Sequence, residues 1–168
     1  AGAWLMEGAA VGGSTSAWRD PRLMSAPAQR LLTQLPKTSS FNQQESFRKN
    51  RHEGNDYGAA TGTKLSFKQP GVVVQVGSPT EANGGYGGFV DVRLKDGNIV
   101  RIAHLSKVNV KPGQRIGAKQ VAALSGNTGR STGPHIHIEH LSGPSGIQET
   151  TRGKRDPSWI ASQIYADI

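Results

Sequence analysis

From Ser46 onward, short apolar or alternating stretches are broken by Gly, Asn and Pro, a spacing that predicts strands and turns in place of long helices. Candidate strands are Gly71 to Val76, Gly88 to Leu94, Asn98 to His104, Gln120 to Ser125 and His135 to Leu141. Asp96-Gly97, between the second and third, supplies the positive-φ residue of a tight hairpin, so an antiparallel meander is expected. The clearest alternation is Pro134-His135-Ile136-His137-Ile138-Glu139-His140, the pattern of a half-buried strand. His135, His137 and Glu139 share one face, and Ile136, Ile138 and His140 the other. Residues 1–45 differ: they are rich in Gly, Ala, Ser, Pro and Gln, and their one helix-like patch, Pro27 to Leu35, puts Leu31, Leu32 and Leu35 on one face. The expected organisation is a linker arm with a short docking helix over 1–45 and a mainly β, antiparallel domain over 46–168. A short C-terminal helix, capped by Asp156 with Pro157 at its first position, is expected to dock Trp159, Ile160 and Ile164 on the sheet.

Composition narrows the class. A chain of 168 residues with 35% hydrophobic positions, 22 Gly and 9 Pro accommodates one turn-rich domain and an arm. With no cysteine, disulfides and thiolate metal sites are excluded, so any metal must be held by His, Asp or Glu. The net charge of +8 is spread along the chain without a dense Lys/Arg run interleaved with aromatics. That pattern reads as a solvated basic surface, and nucleic acid is not an expected partner. No stretch approaches the roughly 20 consecutive apolar residues of a membrane span. The first residues, Ala1 to Glu7, lack an initiator Met and the basic start and apolar centre of a secretory signal, so the chain reads as a mature or excised piece.

Within these limits the histidines carry the candidate chemistry. On one strand face, His135 and His137 stand about 7 Å apart at Cα, a spacing a metal site can use and an exposed strand can also carry idly. His52-Glu53-Gly54-Asn55-Asp56 offers an imidazole and a carboxylate in a segment whose glycines favour a turn; both are acceptable zinc ligands, or else a surface His and an Asx-turn Asp. His104 ends a predicted strand, as a packed residue or a functional one. Glu139 either orients one of the histidines or lies exposed outside the site, and His140, on the apolar parity, reads as structural. Tyr86, in the Gly-rich lip Asn83 to Gly88, either contacts a substrate peptide or packs halfway.

In this order, His52-x-x-x-Asp56, Ala103-His104-Leu105-Ser106 and Gly126-Asn127-Thr128-Gly129-Arg130-Ser131-Thr132-Gly133-Pro134-His135-Ile136-His137 resemble the lysostaphin-type (LytM-like) zinc metallopeptidases that cut peptidoglycan. The likeness runs from residue 46 to about 141, and Gly62-Thr63, Gly71-Val72-Val73, Gly85-Tyr86-Gly87, Val110 to Gln114 and Asp156-Pro157 agree with it. Ile102, where many relatives have Tyr, and Phe67-Lys68-Gln69-Pro70 depart from the pattern. The resemblance implies a lysostaphin-like antiparallel sheet, Zn2+ held by His52, Asp56 and His137, and His104 and His135 as the catalytic pair, with their individual roles open. It implies peptidoglycan peptides as substrate and an address in the cell envelope, periplasmic, extracellular or virion-associated. Three settings follow: an active endopeptidase, a non-catalytic wall-binding or hydrolase-activating module, and a component of a larger assembly such as a phage tail.

Overall fold

The computed structural model describes residues 30–41, 53–141 and 154–167. Its strands are β1 Lys37–Ser39, β2 Asn55–Gly58, β3 Lys64–Phe67, β4 Gly71–Gly77, β5 Gly88–Leu94, β6 Ile99–Val108, β7 Arg115–Ile116, β8 Ala123–Ser125, β9 His135–Leu141, β10 Lys154–Arg155 and β11 Ile164–Asp167. One helical turn, α1 Ser158–Ala161, stands between β10 and β11, and single 3-10 turns cover Leu32–Gln34 and Asn83–Gly85. All ladders among the described residues are antiparallel; the main path runs β1-β2-β9-β6-β5-β4-β7, and β8 joins β6 to β3, which in turn pairs with β11.

The site is carried by β5, β6 and β9; the expected meander holds for β4-β5-β6, but the next neighbour of β6 is β9, which the chain reaches only after β7 and β8. The hairpin between β5 and β6 closes as the Asp-Gly pair requires: Gly97 takes φ 94 and donates its N–H to Leu94 O at 2.8 Å. Val90, Val92, Val100, Ile102, Ile136 and Ile138 alternate onto one face and join the core with Leu65, Phe67, Leu105, Ile116, Ile160 and Ile164. Burying each such branched side chain contributes roughly 1.5–3 kcal/mol, and this layer holds the strands in register. The opposite parity places Asp91, Arg101 and Glu139 side by side across β5, β6 and β9, since Arg101 is the Cα partner of both of the others.

The structure corrects several expectations. β9 is buried on both faces beyond His135, so it is not the half-buried strand its alternation suggests. Between Leu31 and Leu35 the arm makes a single 3-10 turn that buries Leu32, and the following residues form β1 on the edge of β2. The Asp56 segment, read as a turn, is strand β2. At the C-terminal end, Asp156 accepts from Ser158 N at 2.9 Å, but the helix stops after four residues and the chain returns to the sheet as β11. Ile160 and Ile164 are buried, whereas Trp159 stays 50% exposed beside the His140 ring.

Candidate metal and catalytic site

Strand pairing brings the distant motifs together. β2 lies against β9 with Asp56 opposite His137, and Ala103 of β6 is opposite His137 on its other side. In β6, the two steps from Val90 to Gly88 are matched by three from Ile102 to Leu105, so the strand carries one extra residue there. His104 falls in this bulge with φ 61, a left-handed conformation unusual for a side chain with a Cβ. Its backbone N–H donates to Tyr86 O at 2.8 Å, and its ring turns toward β9, with ring centroids 4.7 Å from His135 and 5.7 Å from His137.

The Gly126 to Gly133 segment orients both of the outer histidines. His104 Nδ1 donates to Thr128 O at 2.7 Å, and His135 Nδ1 donates to Gly133 O at 2.8 Å with Ser131 Oγ at 3.1 Å. Because a carbonyl only accepts, each ring carries its proton on Nδ1 and keeps Nε2 as its basic nitrogen. His135 Nε2 lies 3.6 Å from Asp56 Oδ1. The segment is itself locked to the lip before β5: Arg130 N donates to Gly85 O at 2.8 Å, and Gly88 N to Thr128 Oγ1 at 3.0 Å. Gly87 and Gly129, at φ 62 and φ 73, allow this approach, because a Cβ on either would stand within 2.5 Å of the other's backbone nitrogen.

His137 is held differently. Its Nδ1 is 2.7 Å from Asp56 Oδ1 and its Nε2 is 2.9 Å from Glu139 Oε1, with all three side chains buried. Burial disfavours the charged ring, but the hydrogen bonds and charges of Asp56 and Glu139 outweigh it and push the His137 pKa up to about 9. His104 goes the other way: burial, reinforced by the neighbouring His137 and His135, outweighs the Thr128 carbonyl and brings it down to about 4. His104 is therefore a neutral imidazole at physiological pH.

Asp56, His104, His135 and His137 converge. His52 lies outside the described residues. Among the described residues no three His, Asp or Glu side chains form a complete ligand set, but a buried carboxylate oxygen facing a buried imidazole nitrogen is a donor pair of the type zinc takes. The further alternative for Glu139, an exposed carboxylate outside the site, is overturned, since it is 1% exposed and bonded to His137. His140 is structural, buried with Nε2 3.0 Å from Asn98 Oδ1.

Three residues that the sequence patterns did not single out, Asp91, Arg101 and Phe89, complete the surroundings. Arg101 makes a bidentate ion pair with Asp91, at 2.7 Å from Nε and 2.8 Å from the terminal nitrogen, and its guanidinium stands 4.7 Å from the Tyr86 ring centre and 4.8 Å from that of Phe89. Asp91 and its neighbours outweigh the penalty of burial and raise the Arg101 pKa further above its ordinary value. Polar residues at the alternate positions of Val90-Asp91-Val92 and Val100-Arg101-Ile102 were the available signal.

The chain is similar to known proteins in sequence and in fold. The peptidoglycan DD-endopeptidase ShyA of Vibrio cholerae is 40% identical over 88 residues, 52% of this chain and 20% of that protein. The chain therefore spans about a fifth of the length of this curated relative. Among solved structures, the catalytic domain of lysostaphin from Staphylococcus simulans superposes with a TM-score of 0.65 at 27% identity, covering 77% of this chain and 94% of that one. A zinc-containing peptidase from Vibrio cholerae gives 0.56 at 28% identity, covering 69% and 37%. The likeness to lysostaphin extends to the mostly β, antiparallel architecture, and the model of Peptidase family M23 matches residues 50–148: the chain belongs to this family.

Proposed function

We propose that the protein is a zinc-dependent endopeptidase that hydrolyses peptide cross-links or stem peptides of bacterial peptidoglycan in the cell envelope. The observation that carries this reading is the buried pair of Asp56 Oδ1 and His137 Nδ1 at 2.7 Å, with the His104 and His135 rings beside it. In this reading His52, Asp56 and His137 hold the metal. Zinc, when bound, polarises a peptide carbonyl and lowers the pKa of water toward about 7.

The chain's own residues supply the rest. His104 and His135, each fixed as the Nδ1–H form by a backbone carbonyl, offer Nε2 to accept a proton from attacking water and to return one to the departing amine. Fixing both rings before substrate arrives removes reorganisation from the reaction itself. Support comes also from ShyA, whose name describes a peptidoglycan DD-endopeptidase, and from the similar Vibrio cholerae peptidase, which contains zinc. A purely wall-binding module would have no use for three histidines and a carboxylate gathered with their ring nitrogens fixed.

Metal analysis and turbidity of purified sacculi test the reading. One zinc per chain is expected, with clearing of sacculi lost on chelation and restored by zinc; a folded chain that takes up no zinc contradicts it. Carriage on a larger assembly such as a phage tail would change the address and leave this chemistry unaltered. The native mass of the full chain among its natural partners separates the two settings.

A further inference from the structure

The side of His137 facing away from Asp56 is as closely built as the side facing it. Glu139 Oε1 accepts from His137 Nε2 at 2.9 Å and from the Tyr86 hydroxyl at 2.8 Å. The hydroxyl also lies 3.2 Å from Glu53 Oε2. A phenol carries one proton, and the shorter contact marks Glu139 as its principal acceptor. Tyr86 is in turn stacked under the Arg101 guanidinium, which Asp91 grips through two hydrogen bonds. The chain of contacts therefore runs Asp91, Arg101, Tyr86, Glu139, His137, Asp56, across four strands and the lip before β5.

We propose that Glu139 and Tyr86 are positioning residues for the metal centre, setting which nitrogen of His137 faces the ion and holding the ring against rotation. The proposal rests on the zinc reading above. Its chemistry is simple: an imidazole bound to a metal through one nitrogen keeps a proton on the other, and a carboxylate can only accept that proton. With Glu139 on Nε2, the nitrogen left for the ion is Nδ1, the one opposite Asp56. A carboxylate with no second partner of its own could swing and release the ring; the Tyr86 hydroxyl prevents this. The Arg101 guanidinium, lying over both Tyr86 and Phe89, whose ring centroids are 6.0 Å apart, keeps the phenol in place. Glu53, which follows His52 directly in the chain, brings its carboxylate to 3.2 Å from the same hydroxyl, although the single phenolic proton goes to Glu139.

The test compares zinc affinity of the full-length wild type, Glu139→Gln, Glu139→Ala and Tyr86→Phe, by competition with a fluorescent zinc chelator at one pH. Melting of each metal-free protein and the absorption spectrum of each cobalt(II) form are recorded alongside. Loss of an outer partner of this kind weakens metal binding about 10–100-fold, and that loss is expected for Glu139→Ala. Glu139→Gln should recover part of it, because its amide oxygen still accepts from Nε2. Tyr86→Phe deletes one oxygen and keeps the ring under Arg101; it should weaken zinc several-fold and alter the cobalt spectrum, and it reads the clamp even where Glu139→Ala does not fold. Wild-type affinity and an unchanged cobalt spectrum in folded Glu139→Gln and Tyr86→Phe overturn the proposal alone. A wild-type chain that binds no zinc overturns the underlying reading together with it.

Discussion

Asp56 and His137 are 81 positions apart in the chain and directly opposite each other across β2 and β9, with Oδ1 and Nδ1 at 2.7 Å. No local motif produces this contact; it exists because β2, a short strand of poor strand-forming residues, is accepted along the edge of β9. Removing either side chain should abolish zinc uptake in the chelator competition, an effect larger than the ~10–100-fold expected for an outer partner. Asp56→Asn is the sharper variant, since it preserves shape and removes the charge that a divalent ion needs. Near-normal zinc binding in Asp56→Asn would remove this residue from the ligand set.

The two shifted histidines give the metal-free protein opposing pH dependences. His137, raised to about 9 in the folded state from an ordinary 6.5, contributes stability that is fully present below pH 6.5 and lost as pH rises through 9. His104, lowered to about 4, contributes stability present above pH 6.5 and lost as pH falls through 4. Urea unfolding of chelator-treated protein from pH 4 to 9 should therefore show stability declining on both sides of about pH 6.5 through these groups. In His137→Gln the alkaline decline should flatten; an unchanged alkaline slope would assign it to another group.

How much of this was legible in the sequence follows from the kind of signal each residue carries. Gly88 to Leu94 and His135 to Leu141 coincide with β5 and β9, because alternation in a central strand directly reports the two sides of a sheet. Alternation does not report depth, so the burial of Glu139 follows only from the tertiary packing that brings the Tyr86 hydroxyl onto its carboxylate. β2 was hidden because Asn55, Asp56 and Gly58 are turn-formers, and only pairing with β9 makes Asn55-Asp56-Tyr57-Gly58 a strand. β11 was hidden behind a helix start that lasts one turn before Ile164 pairs with Phe67. The ligand and catalytic candidates were visible as a spaced set; His104 reaches the site through a bulge that no periodicity encodes.

The Asp91–Arg101 pair predicts an asymmetric response to substitution. Arg101→Met leaves a carboxylate that is 0% exposed without its guanidinium and should cost about 3–5 kcal/mol. Arg101→Met combined with Asp91→Leu removes both charges and should recover much of that loss. Urea midpoints at constant m-value provide the measurement, and a double variant as unstable as the single one would contradict the buried-charge argument.

Gly129→Ala addresses the lock between the lip and the loop after β8. The residue lies at φ 73, and a Cβ would meet Gly87 N at 2.4 Å and Gly85 O at 2.5 Å. The left-handed backbone alone costs an alanine about 1–2 kcal/mol, and backbone displacement adds to it. Because Thr128 O holds the His104 ring at 2.7 Å, catalysis should fall in the folded variant at temperatures well below its melting point. Melting curves and kcat/KM on one preparation check this; full activity in a destabilised variant would separate the loop from ring orientation.

Most direct is mass spectrometry of the soluble material released from purified sacculi by zinc-loaded wild type and by Asp56→Asn, both shown to be folded. Fragments ended by a newly hydrolysed peptide bond, from the wild type alone, are the predicted result. Release of the same fragments by both proteins, or none from the zinc-loaded wild type on sacculi of any type, would contradict the claim that Asp56 and His137 hold a catalytic zinc.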